Sequence, residues 1–136
     1  MIQARRLLFI GSTVAALGAC GGGGGSSGPP TNSFTGTITV TSSSAAAVCG
    51  TTKDVHFIAG AVDSHLEDVA GGDCVRFTNS DTVNHHPAGN PPGSCAQVDA
   101  APVLAAGASF TAGPFPTARA CYWQDALNPP SAGGGY

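Results

Sequence analysis

An all-β sandwich is the fold class this sequence predicts, on three observations. Several short stretches alternate apolar and polar residues at period two, the pattern of strands with one buried face. Turns rich in Gly, Pro, Asn and Asp separate them. The alanine runs at Ala45-Ala46-Ala47 and Leu104-Ala105-Ala106 carry no apolar stripe at the helical period, so no helix of useful length is expected. Short strands divided by such turns build sandwiches.

At the N-terminus, Arg5 and Arg6 precede a mostly apolar stretch from Leu7 to Gly18. At about 12 residues this is a secretory core and too short to span a bilayer. Leu17-Gly18-Ala19-Cys20 then resembles a bacterial lipoprotein processing site. The resemblance implies a cut before Cys20, a lipid on Cys20 and an extracytoplasmic place in the cell envelope. Gly21, where Asp would retain a lipoprotein, implies the outer membrane if the cell has two. The membrane is then reached through the lipid. The segments follow: 1–19 signal peptide, 20–33 lipidated Cys with a Gly/Ser/Pro tether, and 34–136 a single folded domain.

Within the domain, Phe34-Thr35-Gly36-Thr37-Ile38-Thr39-Val40-Thr41 puts Phe34, Ile38 and Val40 on one face and threonines on the other. Val55 and Phe57 alternate with His56 and Ile58, and Val75 and Phe77 with Cys74, Arg76 and Thr78. A short strand is expected around Phe110. Residues 117–123 set Arg119, Cys121 and Trp123 opposite Ala118, Ala120 and Tyr122. Turns are expected at Gly71-Gly72-Asp73, Asn79-Ser80-Asp81, 89–93 and Gly113-Pro114. The stretch from Pro87 to Gly107 is long and weakly patterned, and Cys95 is expected to pin it to the sheet.

Beyond Cys20, the four cysteines Cys49, Cys74, Cys95 and Cys121 are expected to form two disulfides, with three pairings open. They lie too far apart for a CxxC redox motif or a zinc knuckle. Each loop of about 25 residues so closed is worth roughly 3–4 kcal/mol in the chain-entropy model, a large share of a small domain's stability. Past the leader, only Lys53, Arg76 and Arg119 oppose eight carboxylates, which excludes nucleic-acid binding. G-x-S-x-G, H-E-x-x-H and phosphate-loop motifs are absent. Ser64 beside His65, and the adjacent Glu67 and Asp68, are a polar surface run, so an enzyme is not expected.

The histidines are the candidates for chemistry, because neutral imidazole is the commonest metal ligand. His56 reads as a surface residue. His85 and His86, before Pro87, stand where a sandwich loop can present a ring. The stretch Gly72-Asp73-Cys74-Val75-Arg76-Phe77-Thr78-Asn79-Ser80-Asp81-Thr82-Val83-Asn84-His85 resembles the first-ligand region of cupredoxins, the plastocyanin-like copper proteins. Residues 119–129, with Cys121 before Asn128-Pro129, resemble the ligand loop of a bacterial subgroup. The resemblance covers about Phe34 to Pro129 and implies a Greek-key cupredoxin-like β-sandwich.

It also implies a copper site with His85 as imidazole ligand and Cys121 as thiolate, Trp123 and Tyr122 excluding water around it. The chain departs from that pattern in three ways. Gln124 and Ala126 stand where the subgroup has histidines, leaving Gln124 or His86 to complete the sphere, and Met1 is the sole methionine. A thiolate at Cys121 would orphan one of the other cysteines, whereas Cys95 with Cys121 and Cys49 with Cys74 would close the count, a pairing the sequence leaves open. Ser131-Ala132-Gly133-Gly134-Gly135-Tyr136 has little strand propensity, so the sandwich is expected to lack a regular last strand. Two functions follow. The resemblance implies a membrane-anchored copper-binding or electron-transfer protein with a redox or envelope protein partner. The alternative is a metal-free, disulfide-stabilised surface or interaction module.

Overall fold

The computed structural model describes residues 34–129. The expected signal peptide, Cys20, the tether and the final stretch on which the expectation about a last strand rests lie outside the described residues. The elements are β1 (Thr35–Val40), β2 (Thr52–Ile58), β3 (Ala61–Val62), β4 (Leu66–Val69), β5 (Cys74–Asn79), β6 (Pro87–Gly89), α1 (Ala96–Asp99), β7 (Ser109–Ala112) and β8 (Arg119–Asp125).

The strands form two open four-stranded sheets, ordered β4-β1-β8-β6 and β3-β2-β5-β7. Both are mixed. In the first, β1 runs parallel to β4 and antiparallel to β8, which is antiparallel to β6. In the second, β2 runs parallel to β5 and antiparallel to β3, and β5 is antiparallel to β7. The chain therefore crosses between sheets after β1 instead of folding back as a hairpin, and the crossing segment lies over the turn at 70–73. Ser42 Oγ accepts the Gly71 N–H at 2.9 Å, and Gly50 N–H donates to the Gly72 carbonyl at 2.9 Å.

Alternation in the sequence becomes the core. Ile38 and Val40 from β1, Val55 and Phe57 from β2, Val75 and Phe77 from β5, and Cys121 and Trp123 from β8 are all buried. The two sheets meet at Trp123, whose ring stands edge-on to Phe77 at 4.9 Å and to Phe57 at 6.0 Å. Across the β1–β8 pair, Gly36 lies opposite Trp123, and a Cβ there would fall 2.6 Å from the indole. Glycine at this position lets the largest core ring lie flat against the backbone.

The cysteines form Cys49–Cys74 and Cys95–Cys121, with Cα atoms 5.5 and 5.6 Å apart. The first fastens the crossing segment to the start of β5. The second fastens the long 87–107 stretch to β8. That stretch contains two elements the sequence pattern did not reveal. β6 is a three-residue edge strand with proline at its start, and α1 is a single turn without a side-chain cap. The Asp99 carboxylate ties this turn to β6, accepting the N–H groups of Gly89 at 2.8 Å and Cys95 at 3.2 Å. No helix among the described residues is long and apolar enough to cross a membrane.

Candidate functional site

The polar side chains concentrate at the end of the sandwich where β5 and β8 finish. Asn79 closes β5 and is fully buried. Its Nδ2 donates to the Val83 carbonyl at 2.7 Å and the Leu104 carbonyl at 2.8 Å, and its Oδ1 accepts the Asp81 N–H at 2.9 Å. One asparagine thus shapes the 79–85 turn and ties it to the 101–108 loop, the local hydrogen bonding for which such turns select this residue. His85 is next locked by a two-way backbone bridge to Leu104, at 3.0 and 2.7 Å.

The His85 ring is fully buried, stacked on Phe57 at 4.5 Å with 9° between planes and tilted 4.8 Å from Phe34. Its Nδ1 lies 2.6 Å from Asp125 Oδ2 and its Nε2 3.2 Å from Asp81 Oδ2. A carboxylate only accepts, so the Asp125 contact requires Nδ1–H, and a proton on Nε2 would serve Asp81 in the same way. Asp125, also fully buried, ends β8. Its carboxylate accepts from His85, from the N–H groups of His86 at 2.8 Å and Leu127 at 3.0 Å, and from Asn128 Nδ2 at 2.7 Å. Burial works against its ionisation, but the bonds from Asn128, His86, His85 and Leu127 outweigh that and hold its pKa below the usual aspartate value. Asp81 is also held low, chiefly by the Thr82 N–H and then by His85.

The ligands implied by the resemblance do not come together as a copper site. Cys121, expected there as a thiolate, is a disulfide sulfur instead. Gln124 alternates with the buried Trp123 and Asp125, pairs in register with Thr35 and Ala88, and so lies on the outer face of its sheet. His86 places Nε2 3.0 Å from the Ala101 carbonyl. Both nitrogens of His85 face carboxylates. Among the described residues no group of three or more His, Cys, Asp or Glu side chains could hold a metal ion. The residues present do not fit copper: the sulfur is oxidised, and the one buried imidazole has both ring nitrogens engaged.

Sequence reasoning missed Asp125. Its signal was parity, since Asp125 shares the strand face of Cys121 and Trp123, and a carboxylate on a core-facing position needs partners. No family model, curated protein or solved structure matches this chain.

Proposed function

We propose that this chain is a metal-free interaction module, exported and held at the envelope surface by a lipid on Cys20. It is built on a cupredoxin-like Greek-key scaffold in which structural bonds occupy the expected ligand positions. The reading rests on one observation: Cys121 is bonded to Cys95, and His85 is clamped between Asp81 and Asp125. Both groups that would define a copper centre thereby act as fasteners, one covalent and one polar. The two disulfides suit an oxidising compartment, and a small core gains most from them there.

The test is a Cu(II) titration of the oxidised full chain, alongside mass mapping of its cysteines. The expected result is no thiolate-to-copper charge-transfer band, and bridges at Cys49–Cys74 and Cys95–Cys121. A visible band that disappears in His85→Ala, together with a free thiol at Cys121, would overturn the reading and restore the copper function.

A further inference from the structure

The outer face of the first sheet carries a groove that the polar end does not use. In the β4-β1-β8 register, Thr37 stands directly between Leu66 and Tyr122. Leu66 is 75% exposed and Tyr122 52%. They wall a groove of about 280 Å³, floored by Thr35 and Thr37 and closed at one end by His65, whose Nδ1 is tied to the Thr35 carbonyl at 2.6 Å. Two strand spacings, about 10 Å, separate the walls, with β1 as the one strand between them. One register step of two residues further along, Asp68 and Ala120 flank Thr39, so the sheet face next to the groove carries a carboxylate.

Charge indicates what the groove accepts. Asp54 pairs with Arg76, Asp63 with His56, and Asp81 and Asp125 with His85, while Asp73 and Asp99 accept backbone N–H groups. Among the described residues, the Glu67 and Asp68 carboxylates alone accept no hydrogen bond and join no ion pair. Both lie on β4, an edge strand, and Asp68 shares the outer face with Leu66. The free negative charge therefore sits beside the exposed apolar pair.

We propose that this groove receives an extended segment of a basic partner protein, presenting an apolar side chain and, two residues on, a lysine or arginine. The apolar side chain seats between Leu66 and Tyr122. The spacing of two carries the cation to Asp68, because strand side chains on one face repeat every second residue. The inference rests on the interaction-module reading and names the chemistry of its partner.

The probe is a fluorescent hexapeptide with valine and lysine two residues apart and threonines elsewhere, titrated onto the full chain by anisotropy. Its control carries glutamate in place of lysine. The lysine peptide is expected to bind and the glutamate peptide not. Tyr122→Ala should weaken binding about tenfold and Tyr122→Phe should retain it. Asp68→Asn should cost about threefold, a loss that salt erases. Ile58→Ser, an exposed apolar position on the other sheet, should change nothing.

Equal binding of both peptides, no binding at all, or wild-type affinity in Tyr122→Ala and Asp68→Asn would each overturn the groove assignment. Failure of the peptide in a chain that takes up no copper removes the groove and leaves the module reading standing. Copper uptake through His85 removes the module reading by itself.

Discussion

A buried histidine between two carboxylates contributes through polar bonds, and those bonds fail in a characteristic way when one partner is removed. Asp125→Ala would strand His85 Nδ1–H, two backbone N–H groups and Asn128 without their acceptor. The expected loss is about 3–5 kcal/mol in urea unfolding, with Asp125→Asn losing less because one oxygen and the shape persist. The pH response follows in sign. Asp125 and Asp81 ionise more readily folded than at the ordinary aspartate value of 3.8, so their contribution is complete above that value and drains away as pH falls through their lowered folded values. The unfolding midpoint should drop on the acid side of about pH 4, and Asp125→Asn should flatten that limb. An unaltered acid limb in the variant would show that Asp125 is not what titrates. His85 stood out in the sequence because it lies just before Pro87 and ends the stretch from Gly72 that resembles the first-ligand region of cupredoxins. Asp125 did not, since a carboxylate beside Gln124 reads as surface until its strand parity is followed into the core.

At the scale of elements, what the sequence disclosed depended on how much apolar side chain each strand buries. β1, β2, β5 and β8 each present two or more buried residues at alternate positions, and all four fall on stretches where alternation predicts strands. β4 buries only Val69, and β6 is Pro87, Ala88 and Gly89, so neither carries a period to read. Such strands exist because neighbours supply the pairing: β4 borrows register from β1 and β6 from β8. The pairing of β1 with β8 depends in turn on the bare Gly36 backbone beneath Trp123. Gly36→Ala would drive a methyl to 2.6 Å from the indole, forcing the ring off Phe57 and Phe77. Overpacking of this kind should cost about 1–3 kcal/mol, visible as a lower thermal midpoint and a changed Trp123 fluorescence. A variant with unchanged emission would mean that the ring does not rest on this residue.

Across the whole molecule, the two disulfides differ in what they hold and in how they can be reached. Both close loops of similar length, with sequence separations of 25 and 26 residues, so each should constrain the unfolded chain by a similar amount, about 3.5 kcal/mol. Their native surroundings are unequal. Cys95 and Cys121 are both buried, and the bridge joins the residue before α1 to β8. Cys49 is exposed, although its partner Cys74 is buried. Thiol–disulfide exchange needs an approach to a sulfur, so a small thiol can attack Cys49 in the native state, whereas Cys95–Cys121 becomes accessible only when the long stretch lifts from β8. Mild reductant under native conditions should therefore open Cys49–Cys74 first, releasing the crossing segment while the Phe57–Phe77–Trp123 core persists. Opening of Cys95–Cys121 should follow global unfolding and quicken with urea. Timed alkylation and mass mapping would resolve the order, with near-ultraviolet circular dichroism following the core. Simultaneous reduction of both bridges at a rate independent of urea would contradict it. The order matters for the proposed interaction module, because β8, which carries one wall of the groove, is braced by the later bridge at Cys121 and not by the earlier one. Exposure to a mild thiol should thus loosen the crossing segment and leave the Leu66–Tyr122 pair in place.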